Sequence, residues 1–420
     1  MGATVAVSRS EQMHELLEKL CAKGDRYALH PFNYCFDHIG DKAPYAHPPP
    51  LKLNAYLHTK ASRARCQTAE VNDAEANILH DIHSIDLFPR QAGMPWHTGY
   101  GFVRQNRYWR EVQERYHSLL RAFAEDPTAQ NTPPGAKFTV ADVAMNELKD
   151  GKEKTIRYVP LLYPLGNMER TILAGEALAL SLVFDEAYEI FGDDYDPSFL
   201  QSLMPPHNNK DLTPKTRLQE RIWSSLEKML ECDRIVGNGG QETIDTLVTY
   251  ISRAKPPSRL YETMSDYYDF RYEDGGMGPT YAMIKLSIGS SVDIHSPKLT
   301  HFLRLIGDQT LGQNNIASFD KEKSHYLAGM FPQFEQSNGV MVIKRLLSLP
   351  TDDAAKALGY TYQLEAERQI DFELERMAAS GGLSHEEWKF VDAVLMMSVG
   401  NVMGSITMSR YGGAAARLEG

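Results

Sequence analysis

A chain of 420 residues, 42% hydrophobic and 24% charged, is long and apolar enough to enclose a large core. Its net charge of −11 argues against nucleic acid or an anionic membrane surface as the main partner. The four cysteines, Cys21, Cys35, Cys66 and Cys232, lack CxxC spacing and read as reduced thiols of a cytoplasmic protein. No basic-then-apolar leader and no uninterrupted apolar run of spanning length stands out, so no membrane partner is expected.

In chain order, Ser8 to Gly24 is predicted as a helix from its capping-box spacing and Leu stripe. Residues 25–70 read as irregular, with three prolines after His47. Asn72 to His83 is a short helix candidate. Its His80, Asp81 and His83 lack a further ligand and are read as an ordinary polar group rather than a metal site. Asn106 to Asp126 is a strongly amphipathic helix, with Trp109, Val112, Tyr116, Leu119, Leu120 and Phe123 on one side. Thr132 to Gly135 marks a loop. Lys137 to Val140 and Thr155 to Tyr163 are β-branched and aromatic, which predicts short extended segments. Residues 1–150 match no motif and are taken as an N-terminal extension, with 151–420 as the functional unit.

From Asn167 onward the pattern is helical. The predicted elements are Met168 to Phe191, Pro214 to Cys232, Gln241 to Ala254, Leu260 to Arg271, Pro279 to Ser290, His301 to beyond Ser318, Val340 to Leu349, Asp352 to Ala379 and His385 to Arg410. Short Gly, Pro and Asn breaks separate them and no fixed repeat is present. The pattern argues for an all-α bundle.

Asn314, Ser318 and Glu322 are spaced four and four, which places them on one helical face, about 6 Å apart per step. Amide oxygen, hydroxyl and carboxylate are hard donors that suit Mg2+ rather than zinc. Asp185 and Glu189 lie one turn apart at the end of an apolar run, where two carboxylates repel unless a cation sits between them. A rival acidic cluster, Asp193, Asp194 and Asp196, follows Gly192.

The stretch Asn314 to Glu322 resembles the Asn-x-x-x-Ser-x-x-x-Glu metal motif of class I terpene synthases, with Lys321 at the family's basic position and Asn315 where Asp is usual. Asp185-Glu186-Ala187-Tyr188-Glu189 is similar to the family's Asp-rich motif, with Glu186 replacing the second Asp. Arg271, Asp274 and Gly275, with Arg271 lying 43 residues before Asn314, match its diphosphate sensor, linker and effector. Gly400-Asn401 through Ser405, then Arg410-Tyr411, resembles its C-terminal motif. Gly404 stands where the family commonly has Trp, and the missing ring is expected to widen or reshape the cavity there.

The resemblance covers residues 170–411 and implies a helical bundle around a central cavity. It further implies three Mg2+ ions on Asp185, Glu189, Asn314, Ser318 and Glu322. Arg271, Lys321, Arg410 and Tyr411 would hold an isoprenyl diphosphate, and Phe184, Tyr268 and Phe270 would serve as aromatic walls. Leu395, Met403 and Met408 are further lining candidates. The expected activity is that of a fungal-type sesquiterpene cyclase acting on farnesyl diphosphate, of the sort that forms humulene-like macrocycles, in a monomer or homodimer. A chain-elongating prenyl transferase would need a second Asp-rich motif, and a non-catalytic binding protein would not need both metal motifs. No Asp-x-Asp-Asp motif points to a proton-initiated cyclase.

Overall fold

The computed structural model describes residues 83–87, 89, 96, 98–131, 138–149, 155–191, 198–205, 213–237, 239–253, 260–329 and 331–412. The expected helices before His83, the residues Cys21, Cys35, Cys66, His80, Asp81, Asp193, Asp194 and Asp196, and the side chain of Glu189 lie outside the described residues.

A two-stranded antiparallel ribbon, β1 (Ser84–Leu87) and β2 (Val103–Asn106), precedes the bundle, with Ser84 opposite Asn106. The helices that follow are α1 (Trp109–Glu125), α2 (Val140–Leu148), α3 (Tyr158–Leu162), α4 (Met168–Phe191) and α5 (Ser198–Leu203). Next come α6 (Arg217–Val236), α7 (Gly240–Ile251), α8 (Met264–Asp274), α9 (Met277–Ile288) and α10 (Thr300–Leu327). The last are α11 (Phe334–Ser337), α12 (Gly339–Leu346), α13 (Asp352–Ser380), α14 (His385–Thr407) and α15 (Ser409–Gly412). The expected all-α bundle is the observed one.

Two local expectations are corrected, the first at Val140, which opens α2 rather than closing an extended segment. Thr155 to Tyr163 is not extended: Thr155–Arg157 forms a 3-10 turn that runs into α3. Burial of every side chain from Thr155 to Leu162 overrides the β-propensity of that stretch, since a segment packed on all sides can bury its backbone by closing its own hydrogen bonds. The β1–β2 ribbon had no counterpart in the periodicity, because four-residue strands offer too little alternation.

The helices start where the local chemistry says they should. Thr263 and Ser384 close capping boxes with Asp266 and Glu387. The described residues before 151 share the bundle's core: Val103, Val112, Leu119 and Phe123 pack in one cluster with α4 and α14. α14 is long and apolar enough to cross a bilayer by composition, yet that whole apolar stretch is buried inside the protein. It is the bundle's inner helix, flanked by α3, α9 and α10.

The turn into α4 is held by one buried side chain. The Asn106 amide donates to the carbonyls of Tyr163 (3.1 Å) and Gly166 (2.8 Å), and its oxygen accepts from the Tyr108 N–H (2.9 Å). Removing it strands several buried backbone groups. Asn106→Ala is expected to lower stability by roughly 2–4 kcal/mol, read as a drop in the midpoint of chemical denaturation.

Candidate active site

One cavity collects residues from nine of the described helices. α4 contributes Leu178, Leu182, Asp185 and Tyr188 at helical spacing along one face. α10 contributes Thr310, Leu311, Asn314, Ser318, Lys321 and Glu322, spanning about 18 Å of helix. Met397 and Asn401 come from α14, and Arg410 and Tyr411 from α15. Along α4, α10 and α14 the lining turns from mainly apolar to mainly polar in the chain direction. The lining across α8 and α9 runs the other way, from Arg271 and Asp274 to Met277 and Met283. The cavity therefore has an ionic end and an apolar end.

At the ionic end, Asp185 accepts from Arg253 (2.7 Å) and from the Tyr250 hydroxyl (2.8 Å). Arg253 also reaches Asp274 (3.4 Å), and its guanidinium lies 4.0 Å from the Tyr188 ring centre and 4.1 Å from that of Tyr250. Burial disfavours its charge, but Tyr250, Asp185 and Asp274 outweigh that and hold its pKa above the ordinary arginine value. Arg271 pairs with Asp274 through Nη1 and donates through Nη2 to the Asn314 side-chain oxygen at 3.0 Å. Its Nε is buried with no partner.

The Asn314 amide nitrogen donates to the Tyr411 hydroxyl (3.1 Å), and the Ser318 hydroxyl donates to the Asn314 carbonyl (2.8 Å). Glu322 accepts from the Asn338 amide (2.8 Å). Glu186 bridges Lys321 (3.0 Å) and Arg410. Its burial would raise the carboxyl pKa, but the two cations overcome this and hold it well below the usual carboxylate range. Gly275 and Gly276 break the chain between α8 and α9. Gly276 is left-handed (φ 67°), and any Cβ on Gly275 would lie 2.2 Å from Leu311.

The structure thus brings Asp185, Arg271, Asp274, Gly275, Asn314, Ser318, Lys321, Glu322, Arg410 and Tyr411 to one cavity. Three expected aromatic walls and three further lining candidates are corrected. Phe184 is fully buried and does not line the cavity; one residue before Asp185, it points about 100° away around the helix, into the core. Tyr268 is stacked on Tyr362, ring centres 5.0 Å apart, and does not line the cavity. Phe270 packs on Tyr261 instead, and Leu395, Met403 and Met408 are core rather than lining. The aromatic lining is Tyr158, Tyr188, Tyr250, Phe331 and Tyr411. Sequence reasoning missed Tyr158, Tyr250, Arg253 and Asn338. Arg253 is the one with a signal, an arginine at a helix end just before Ala-Lys-Pro-Pro, and that signal is weak.

No family model matches the chain. It is 24% identical over 349 residues to "Terpene cyclase 6" of Gibberella fujikuroi, covering 80% of this chain and 87% of that protein. It is 29% identical over 163 residues to "Fusoxypene synthase" of Fusarium oxysporum, covering 36% of this chain and 22% of that protein. Among solved structures, aristolochene synthase from Penicillium roqueforti superposes with a TM-score of 0.54 at 18% identity, over 70% of this chain and 94% of that one. α-Eudesmol synthase superposes with a TM-score of 0.51 at 12% identity, over 72% and 95%. The fold is that of the terpene synthases. In sequence the chain is similar to a fungal terpene cyclase over four fifths of its length.

Arg253 neutralises two of the cavity's carboxylates at once. Arg253→Ala is expected to lower the melting temperature by several degrees in metal-free buffer, as Asp185 loses its ion pair with Arg253 and Asp274 keeps only Arg271. Added Mg2+ should recover more of that loss than it adds to the wild type, which differential scanning fluorimetry with and without the ion reads directly.

Proposed function

We propose that the protein is a Mg2+-dependent cyclase that ionises farnesyl diphosphate and closes the resulting cation to a sesquiterpene hydrocarbon. The observation that carries this reading is the graded cavity: four cationic side chains and the donor oxygens at one end, Leu, Met and aromatic walls at the other.

The donor set fits the ion. Asp185, Asn314, Ser318 and Glu322 offer only oxygens, without thiolate or imidazole. Among the described residues no group of three His, Cys, Asp or Glu side chains forms a ready-made metal cage. That is as expected for a set completed by an amide, a hydroxyl and substrate phosphate oxygens. Bound there, Mg2+ would supply fixed positive charge against the phosphate oxygens.

The chain's own residues do the rest. Arg271 presents a guanidinium whose Nε has no protein partner, as suits a group meant for a polyanion. Lys321 and Arg410, resting on Glu186, and the Tyr411 hydroxyl supply further donors to the leaving group. As the carbon–oxygen bond breaks, both electrons leave with the diphosphate, so the donors strengthen as charge grows on it. The allylic cation is left among Leu162, Leu178, Leu182, Met283 and Met397, which exclude water and force it to fold. A final proton loss gives the neutral hydrocarbon. The finer product class, a humulene-type macrocycle, comes from the sequence resemblance.

Purified protein with Mg2+ should convert the fifteen-carbon diphosphate to a volatile hydrocarbon, identified by gas chromatography and mass spectrometry. Chelation should abolish the product. Asp185→Ala should lower turnover by at least tenfold, about 1.4 kcal/mol of barrier. Silence with the ten-, fifteen- and twenty-carbon diphosphates alike would refute the reading, and longer diphosphates formed with isopentenyl diphosphate would make the chain a prenyl transferase.

A further inference from the structure

The cavity has no tryptophan at position 404, yet the space is filled. A Cβ built on Gly404 would lie 3.0 Å from Cε1, 3.1 Å from Cδ1 and 3.2 Å from Cζ of Tyr158. The tyrosine ring therefore rests directly on the backbone of α14. One turn earlier, a Cβ on Gly400 would lie only 2.0 Å from the carbonyl oxygen of Leu161. Two glycines on one face of α14 thus let α3 approach closer than any side chain would allow. That approach delivers Tyr158 and Leu162 to the cavity wall.

The ring is also held in orientation. Its hydroxyl lies 3.1 Å from the Ser405 hydroxyl and interacts with that of Tyr411. Tyr411 in turn accepts from the amide of Asn314. A side chain from a different helix thus occupies the place left open by Gly404, and a network of hydroxyls ties it to the ionic end. Of the two expected effects of the missing ring, widening or reshaping, the packing of Tyr158 on Gly404 is a reshaping.

We propose that Tyr158 is a specificity-determining wall of this cavity, against whose ring the hydrocarbon part of the substrate folds in the space Gly404 leaves. The inference rests on the cyclase reading above and names the group that selects among ring closures. An aromatic face offers attraction to a passing cation that a leucine does not. Its fixed tilt limits which carbon can approach which. The choice among competing closures is made after the diphosphate has left, so this wall should govern the product mixture more than the rate of ionisation.

The test compares the wild type with Tyr158→Phe, Tyr158→Leu, Gly404→Ala and the double variant Tyr158→Ala with Gly404→Trp. Tyr158→Leu keeps bulk and loses the ring. It is expected to raise the share of other hydrocarbons relative to the main product by about tenfold, while diphosphate release stays within about threefold of wild type. Gly404→Ala pushes the ring aside without altering it and should give a drift of the same kind. Tyr158→Phe should keep most of the native product, and the double variant should recover part of what Tyr158→Leu loses. Melting curves identify variants that fold.

Folded Tyr158→Leu and Gly404→Ala proteins with wild-type product ratios would overturn the inference while leaving the cyclase reading intact. Loss of diphosphate release in step with product, in variants that are folded, would also overturn it, by making the residue a part of the ionising machinery. A wild type that yields no hydrocarbon from any isoprenyl diphosphate would remove both.

Discussion

Carboxylates do not gather in a half-dry cavity unaided. Asp185, Glu186, Asp274 and Glu322 all reach the same end of this bundle, where each would raise the free energy of the others. What makes the arrangement stable is interleaving. Arg253 lies between Asp185 and Asp274, Arg271 closes on Asp274 from the other side, and Lys321 and Arg410 share Glu186. Glu322 is held by an amide instead. The interleaving depends on helix direction. α4, α10 and α14 all bring their polar residues to the same end, and the chain break at Gly275 turns the α8 end toward them.

The same cations stand in a position to serve twice. They hold acidic side chains in place, and each ion pair that is broken frees a cationic donor and a carboxylate together. A site built this way resists collapse and is costly to open only to the extent that the incoming charges fail to replace the ones displaced. Arg271, with one nitrogen already lacking a partner, is the cation closest to the loaded state before anything arrives.

The bundle was legible because long helices repeat their apolar stripe many times. α4, α6, α10 and α13 announce themselves through that repetition, whereas β1, β2 and α3 are too short to do so. The ionic residues were legible for a related reason. Asn314, Ser318 and Glu322 lie on one helix, so their spacing alone places them on one face. The aromatic lining had no such signature. Phe184 and Phe270 directly precede Asp185 and Arg271, and adjacency on a helix puts a side chain on a different face from its neighbour. Tyr158, Tyr250 and Arg253 reach the cavity from separate elements, a relation that only the tertiary packing creates.

Asn338 joins three things that are usually independent. Its amide nitrogen donates to Glu322 and to the Asn315 carbonyl (2.9 Å), while its oxygen accepts from the Val340 N–H (2.9 Å) and so begins α12. The orientation of an ion-facing carboxylate is therefore welded to the first turn of a short helix that packs on α13. Tightening or fraying that outer helix is transmitted to Glu322 without any change to the residues that face the pocket. The placing of a carboxylate in the cavity is thus set from a helix that itself lines none of it.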